Sequence, residues 1–124
     1  GAFPGVPAAL ASQKDTKDAD HLAPLYGTYD MYSKAPVTVI VEIDTPSLAE
    51  AKHRKISQTK GYIDLQRRKV MERIKAQIPK ATMHTAYDTV LAGMAVSLPV
   101  TDLPRLAAIE GILRHGIMNG TGEP

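Results

Sequence analysis

The run Val37-Thr38-Val39-Ile40-Val41-Glu42-Ile43-Asp44-Thr45-Pro46-Ser47-Leu48-Ala49-Glu50 decides how the rest of the chain is read. Its first half is dominated by β-branched residues. Val37, Val39, Val41 and Ile43 fall on one side, the pattern of a strand with one face in a core. Asp44-Thr45-Pro46 ends that strand. Ser47, with Glu50 three positions on, forms an S-x-x-E capping box, in which the serine oxygen accepts a free backbone N–H of the first turn. A helix is therefore predicted from Leu48.

Downstream there is no proline before Pro79, and Ile56, Ile63, Val70, Ile74 and Ile78 recur at spacings of seven, seven, four and four. That lays one apolar stripe along a long helix. Gly61 is its weak point, costing about 1 kcal/mol relative to Ala, so a bend or division is expected there. The basic cluster Arg67, Arg68, Lys69, Arg73 and Lys75 is diluted by Asp64 and Glu72, and no aromatic side chain is interleaved to stack on bases. It reads as a solvated helix face rather than a nucleic-acid site.

Beyond Pro79, Ala81–Tyr87 alternates as a second strand, Asp88-Thr89 makes a short turn, and Val90–Leu98 returns as a third. One side of the third strand carries Val90, Ala92, Met94, Val96 and Leu98. The other carries Leu91, Gly93, Ala95 and Ser97, small enough after Leu91 to let another element approach closely. Thr101 is the expected N-cap of a short second helix through Leu103, Leu106 and Ala107, with Asp102 and Pro104 in its first turn and Gly111 at its C′ position. Ile112–Met118 is the last strand. Upstream, residues 1–35 are read as an extended or mobile leader, with Pro4, Pro7 and Pro24 and a charged run from Lys14 to Asp20; Tyr26, Tyr29 and Tyr32 either dock it or mark a helical turn. Residues 119–124 form a flexible tail. The order strand, helix, strand, strand, helix, strand is that of an α+β, ferredoxin-like βαββαβ domain over residues 36–118: a four-stranded antiparallel sheet with two helices on one face and the other face open.

Composition narrows the chemistry. Among 124 residues there is no cysteine, no tryptophan and one phenylalanine, which removes disulfides, thiolate catalysis and cysteine-type zinc sites. The formal charge of +2 is too balanced to predict a nucleic-acid or membrane partner, and no apolar run approaches membrane-spanning length. His21, His53, His84 and His115 fall on four separate elements without helical metal-ligand spacing, and are expected to be isolated and exposed. Gly120-Thr121-Gly122 lacks the context of a phosphate loop. The first and third strands lack the aromatic platform of an RNA-recognition domain, and Asp44-Thr45-Pro46 stands where a small acid phosphatase would need a basic cradle. The chain is expected to carry no catalytic or metal site and to need no cofactor.

Taken together, Ala35–Ile43, Tyr87–Leu98 and Thr101–Ile112 with its Asp102-Leu103-Pro104-Arg105-Leu106 motif resemble peptidase inhibitor family I9, the propeptides of subtilisin-like serine proteases of the secreted or cell-envelope type. The resemblance covers about residues 36–118. It implies secretion or a cell-envelope location, and a role as intramolecular chaperone and temporary inhibitor of a catalytic domain lying downstream in the same precursor. It further implies that the open sheet face, with Leu91, Gly93, Ala95 and Ser97, docks on that domain. The segment Ile117, Met118, Asn119 and Gly120 would then enter its substrate cleft as an added strand. The family's acids after the last strand are missing, since Arg114-His115-Gly116-Ile117 occupies that stretch and Glu123 is the only later acid; either the docking differs, with Asp88 of the hairpin turn as substitute acid, or the processing site lies beyond residue 124. On this reading Gly93→Leu weakens docking without unfolding the domain. The competing expectation is a stand-alone regulatory module that forms a homodimer through the same face.

Overall fold

The structure is a computed structural model that describes Thr16, Lys17 and residues 21–118. Its centre is the opening strand, here β2, Val37–Ile43, the span its alternation predicts. It pairs antiparallel on one side with β4, Gly93–Leu98, and on the other with β5, Ile112–Met118. Strand β3, Thr82–Tyr87, lies antiparallel outside β4, and a two-residue strand β1, Leu25–Tyr26, lies parallel outside β5. The order is β1-β5-β2-β4-β3, so the α+β reading stands while the four-stranded antiparallel sheet becomes a five-stranded mixed one. The extra strand comes from the stretch read as leader. It was not legible because two residues carry no alternation, and its pairing is with a strand some ninety positions away.

The helices also differ in detail. Helix α1, Leu48–Arg54, starts as expected: the Glu50 amide donates to Ser47 Oγ at 3.1 Å. The Glu50 carboxylate accepts from Arg54 Nη1 at 3.2 Å, an exposed pair along the helix. The division falls at Lys55, in the left-handed region at φ 58°, where its N–H bonds the carbonyls of Ala51 and Lys52. Gln58 Nε2 then ties the linker back to Thr45 Oγ1 at 2.9 Å and Pro46 O at 2.7 Å, and Thr59 Oγ1 caps helix α2, Lys60–Gln77. Gly61 sits in the first turn of α2 and is not the breaking point. A 3₁₀ turn, Val100–Asp102, precedes helix α3, Leu103–Ala107, so the N-cap is Asp102 rather than Thr101, and Pro104 lies in the first turn where no intrahelical donor is missed. Gly111 has φ 96°, as a glycine closing this region should.

Val39, Val41, Ile43, Met94, Val96, Leu98, Ile112 and Ile117 on the sheet pack against Ile63, Val70 and Ile74 of α2 and Leu103 and Leu106 of α3. All of these belong to one sheet face. The apolar stripe includes a charge: Arg67 occupies the i+4 position between Ile63 and Val70 and is buried, contrary to its assignment to the solvated face. Ile56, outside both helices, is exposed instead. His115, expected at the surface, is also buried, because β5 turns it to the core side opposite Val41.

The described part of the leader is bonded to the domain. Thr16 bridges Ile109, the Lys17 amide donates to Ala108 O at 2.7 Å, the Ala23 amide to Ala107 O at 2.9 Å, and Pro24 O accepts from the His115 amide at 3.0 Å. Ala23 is buried and Leu25 packs on the core. Tyr26, Tyr29 and Tyr32 are exposed and lie outside any helix, so the small residues around them make the contact.

Candidate docking face

The sheet face turned away from the helices is read row by row from the strand register. One row runs Met118, Thr38, Ser97, Thr82; the next Gly116, Ile40, Ala95, with Tyr26 beside Gly116; the third Arg114, Glu42, Gly93, Tyr87. The first row is hydroxylic and internally bonded. Ser97 Oγ lies 3.0 Å from Thr38 Oγ1 and 2.6 Å from His84 Nε2 on the edge strand β3. The middle row is small and apolar, with Ala95 sunk among its neighbours at 3% exposure. The third row holds an ion pair, Arg114 Nη1 to Glu42 Oε2 at 2.7 Å. A flat face with a low apolar middle and hydrogen-bonding margins suits a partner element laid across it.

At the Met118 end, residues 28–36 and the ends of β2 and β5 border a cleft of about 550 Å³, lined among others by Tyr29, Asp30, Thr38 and Met118 and, from the core side, by Val100 and Ile117. Strand β5 ends in this cleft. Ile117, by contrast, faces the core opposite Val39 and is buried, so of the two described residues expected to bind the cleft Met118 lies on the open side and Ile117 does not. Asn119 and Gly120 fall outside the described residues.

The remaining site expectations separate. Ala95 and Ser97 lie together on the face. Leu91 precedes β4, within the loop between β3 and β4, and Val90 in the same loop is exposed rather than part of a core side. Gly93 is a packing requirement: a Cβ there would fall inside the carbonyl group of Val41 on β2, so Gly93→Leu would force the sheet apart instead of acting on docking alone. Asp88 is engaged internally. Its carboxylate accepts from Arg67 Nη2, with Lys60 Nζ 4.0 Å away, while Arg67 also donates to Gly93 O, Tyr87 O and Asp64 Oδ1, each at 3.0 Å. The guanidinium thus fixes the β3–β4 loop to α2, and that loop in turn supplies the carbonyls of Asp88 and Thr89 to the amides of Leu48 and Ala49 at the start of α1. The acid that the face does present is Glu42, which alternation placed opposite the core side of β2. Among the described residues no cluster of three His, Cys, Asp or Glu could hold a metal ion. Three further cations of α2 are engaged nearby: Arg68 with Asp64, Arg73 with Glu110 O, Lys75 with Pro79 O and Ala81 O.

Fold and face define the class, a small α+β domain in which one sheet face is packed by helices and the other, among the described residues, carries none. The chain is 33% identical over 108 residues to the Minor extracellular protease Vpr of Bacillus subtilis (strain 168), a match that takes in 87% of this chain and 13% of that protein. It is therefore similar to a region of an extracellular protease, spanning about an eighth of its length. No family profile and no solved structure matches the chain. Among the described residues no helix is long and apolar enough to cross a membrane.

Proposed function

We propose that this chain is the prodomain of a secreted subtilisin-like serine protease, an intramolecular folding chaperone and temporary inhibitor of the catalytic domain in the same precursor. The observation that carries this reading is the match itself: nearly the whole chain aligns with a small fraction of an extracellular protease, as a non-catalytic module of a larger precursor would. The open face supports it. Ile40, Ala95 and Gly116 form the low middle onto which surface helices of the protease pack, and Glu42, paired with Arg114 in the free domain, is the acid the face presents to their N-termini, where an anion is favoured by the helix dipole. The chain after Met118 leaves from the cleft end of the face and enters the substrate groove as an added strand. A partner that binds only the folded prodomain stabilises it, which links the chaperone and inhibitor roles.

The test is to mix the full chain with the cognate catalytic domain and follow peptide hydrolysis. Tight, slowly reversed inhibition is expected, and no inhibition at micromolar chain would overturn the proposal. Mass measurement of the chain alone separates the competing module: a stable dimer closed through the open face, with no affinity for the protease, would replace the prodomain reading.

A further inference from the structure

The buried His115 lies beneath the segment that joins the leader to the sheet. Its ring Nδ1 is buried and has no hydrogen-bond partner, while its backbone N–H holds Pro24 O at 3.0 Å. Across the sheet it faces Val41 on β2 and Leu25 on β1, both apolar. From the leader comes Lys17, whose ammonium donates to Ile112 O near the start of the same strand. Around this core the other charged groups are turned elsewhere: Arg73 of α2 to Glu110 O, Arg105 of α3 to Asp102, and Arg114 of β5 to Glu42 on the opposite face. Lys17 is the charge that acts on the His115 ring and it opposes a proton there, while His21 and Glu110 line the pocket on the Lys17 side of the strap.

We propose that residues 21–26 form a strap latched to β5 and α3 at neutral pH and released in acid, with His115 as its trigger. Protonation places an imidazolium in an apolar site beside Lys17. The relief available is local, because the strap is held by few bonds: Ala23 N–H to Ala107 O, His115 N–H to Pro24 O, and the two-residue pairing of β1 with β5. Moving it away admits water to the ring and leaves the β2–β4 and β2–β5 ladders intact. Burial is the largest influence on the ring and lowers its pKa below 6.5; the Pro24 carbonyl opposes this, and Lys17 adds to it. In acid, release exposes the outer edge of β5 next to the docking face, so the surface offered to a partner differs between neutral and acidic compartments.

The experiment is hydrogen exchange by NMR on the full chain between pH 7.5 and 5.0, corrected for intrinsic exchange. The strap is read at the amides of Ala23 and His115, with Ile40 and Ala95 as internal controls. The expected result is a loss of strap protection relative to the controls, by up to about tenfold per pH unit in the range where His115 titrates, and a pH-independent ratio in His115→Gln. The proposal is overturned if the strap keeps its protection relative to the controls, or loses it equally in His115→Gln. Should that variant not fold, the His115 ring titrated in the native chain decides. A midpoint below 6.5 that coincides with strap release supports the latch, and an ordinary or non-coincident midpoint overturns it.

Discussion

Replacing Arg67 tests whether one buried guanidinium organises the junction between α2 and the β3–β4 loop. Its side chain is 4% exposed and that of its partner Asp88 14%, so neither ion is much screened by water. Arg67→Ala removes four donated bonds, leaving the Asp88 carboxylate with Lys60 at 4.0 Å as its remaining cation, and the carbonyls of Tyr87 and Gly93 without this donor. Breaking one side of a buried pair costs about 3–5 kcal/mol, a large fraction of the roughly 5–15 kcal/mol that holds a domain together. Arg67→Met retains most of the aliphatic packing but still strands Asp88. The double variant Arg67→Met/Asp88→Asn removes the uncompensated charge and is expected to recover at least about 1 kcal/mol relative to the sum of the single changes. Urea unfolding followed by far-ultraviolet circular dichroism at neutral pH measures all five proteins, the native chain, the three single variants including Asp88→Asn, and the double variant. Because the pair is buried, the cost of Arg67→Ala persists in added salt. A loss smaller than about 1 kcal/mol, the range of exposed pairs, would refute the assignment of Arg67 to the core.

Further outcomes are open to the same unfolding assay. Gly93→Ala drives a Cβ into the Val41 carbonyl and is expected to cost at least about 2 kcal/mol, whereas Gly116→Ala, whose nearest obstacle is Tyr26 O at 3.9 Å, stays within about 1 kcal/mol of the native chain. Ser47→Ala removes the cap on α1 and is expected to cost about 1 kcal/mol. Gly116→Leu keeps the fold while raising the middle of the open face; unchanged inhibition by this folded variant would count against that face as the contact. For His115 the sign follows from its lowered folded pKa: the unfolded chain takes up the proton first, so stability falls as pH drops through 6.5 and keeps falling until the folded ring is itself protonated. Denaturation midpoints at pH 7.5, 6.0 and 5.0 should decline more in the native chain than in His115→Leu, and equal declines would remove His115 as the cause.

The parts of the fold that were legible are those governed by local pattern. Val37–Ile43 and Ile112–Met118 run the predicted lengths because alternation is a property of the strand itself, and Ser47 caps α1 because the bond spans three residues. Arg67 and His115 were missed for a shared reason: residue type suggested water, while position placed them in the core. The spacing Ile63, Arg67, Val70, Ile74 is an unbroken helical stripe once the charge is allowed into it, and His115 alternates with Ile117. Asp88, directly after the end of β3 and twenty-one residues from Arg67, offered no local sign of its partner. On the open face, Ala95 and Ser97 were visible as small residues, whereas the role of Gly93 depended on how closely β2 passes, a distance that no one-dimensional pattern contains.

Strand β5 lies between β2, with which it pairs along its length, and β1, with which it pairs over two residues. Tension delivered through its Met118 end runs along the strand and must slide it past two neighbours at once. A strand at an open edge, such as β3, would instead peel away one bond at a time. The domain is therefore mechanically stiff in the direction of whatever is joined after residue 118 and compliant at β3, so a pull from that side displaces the whole module before it unravels its last strand.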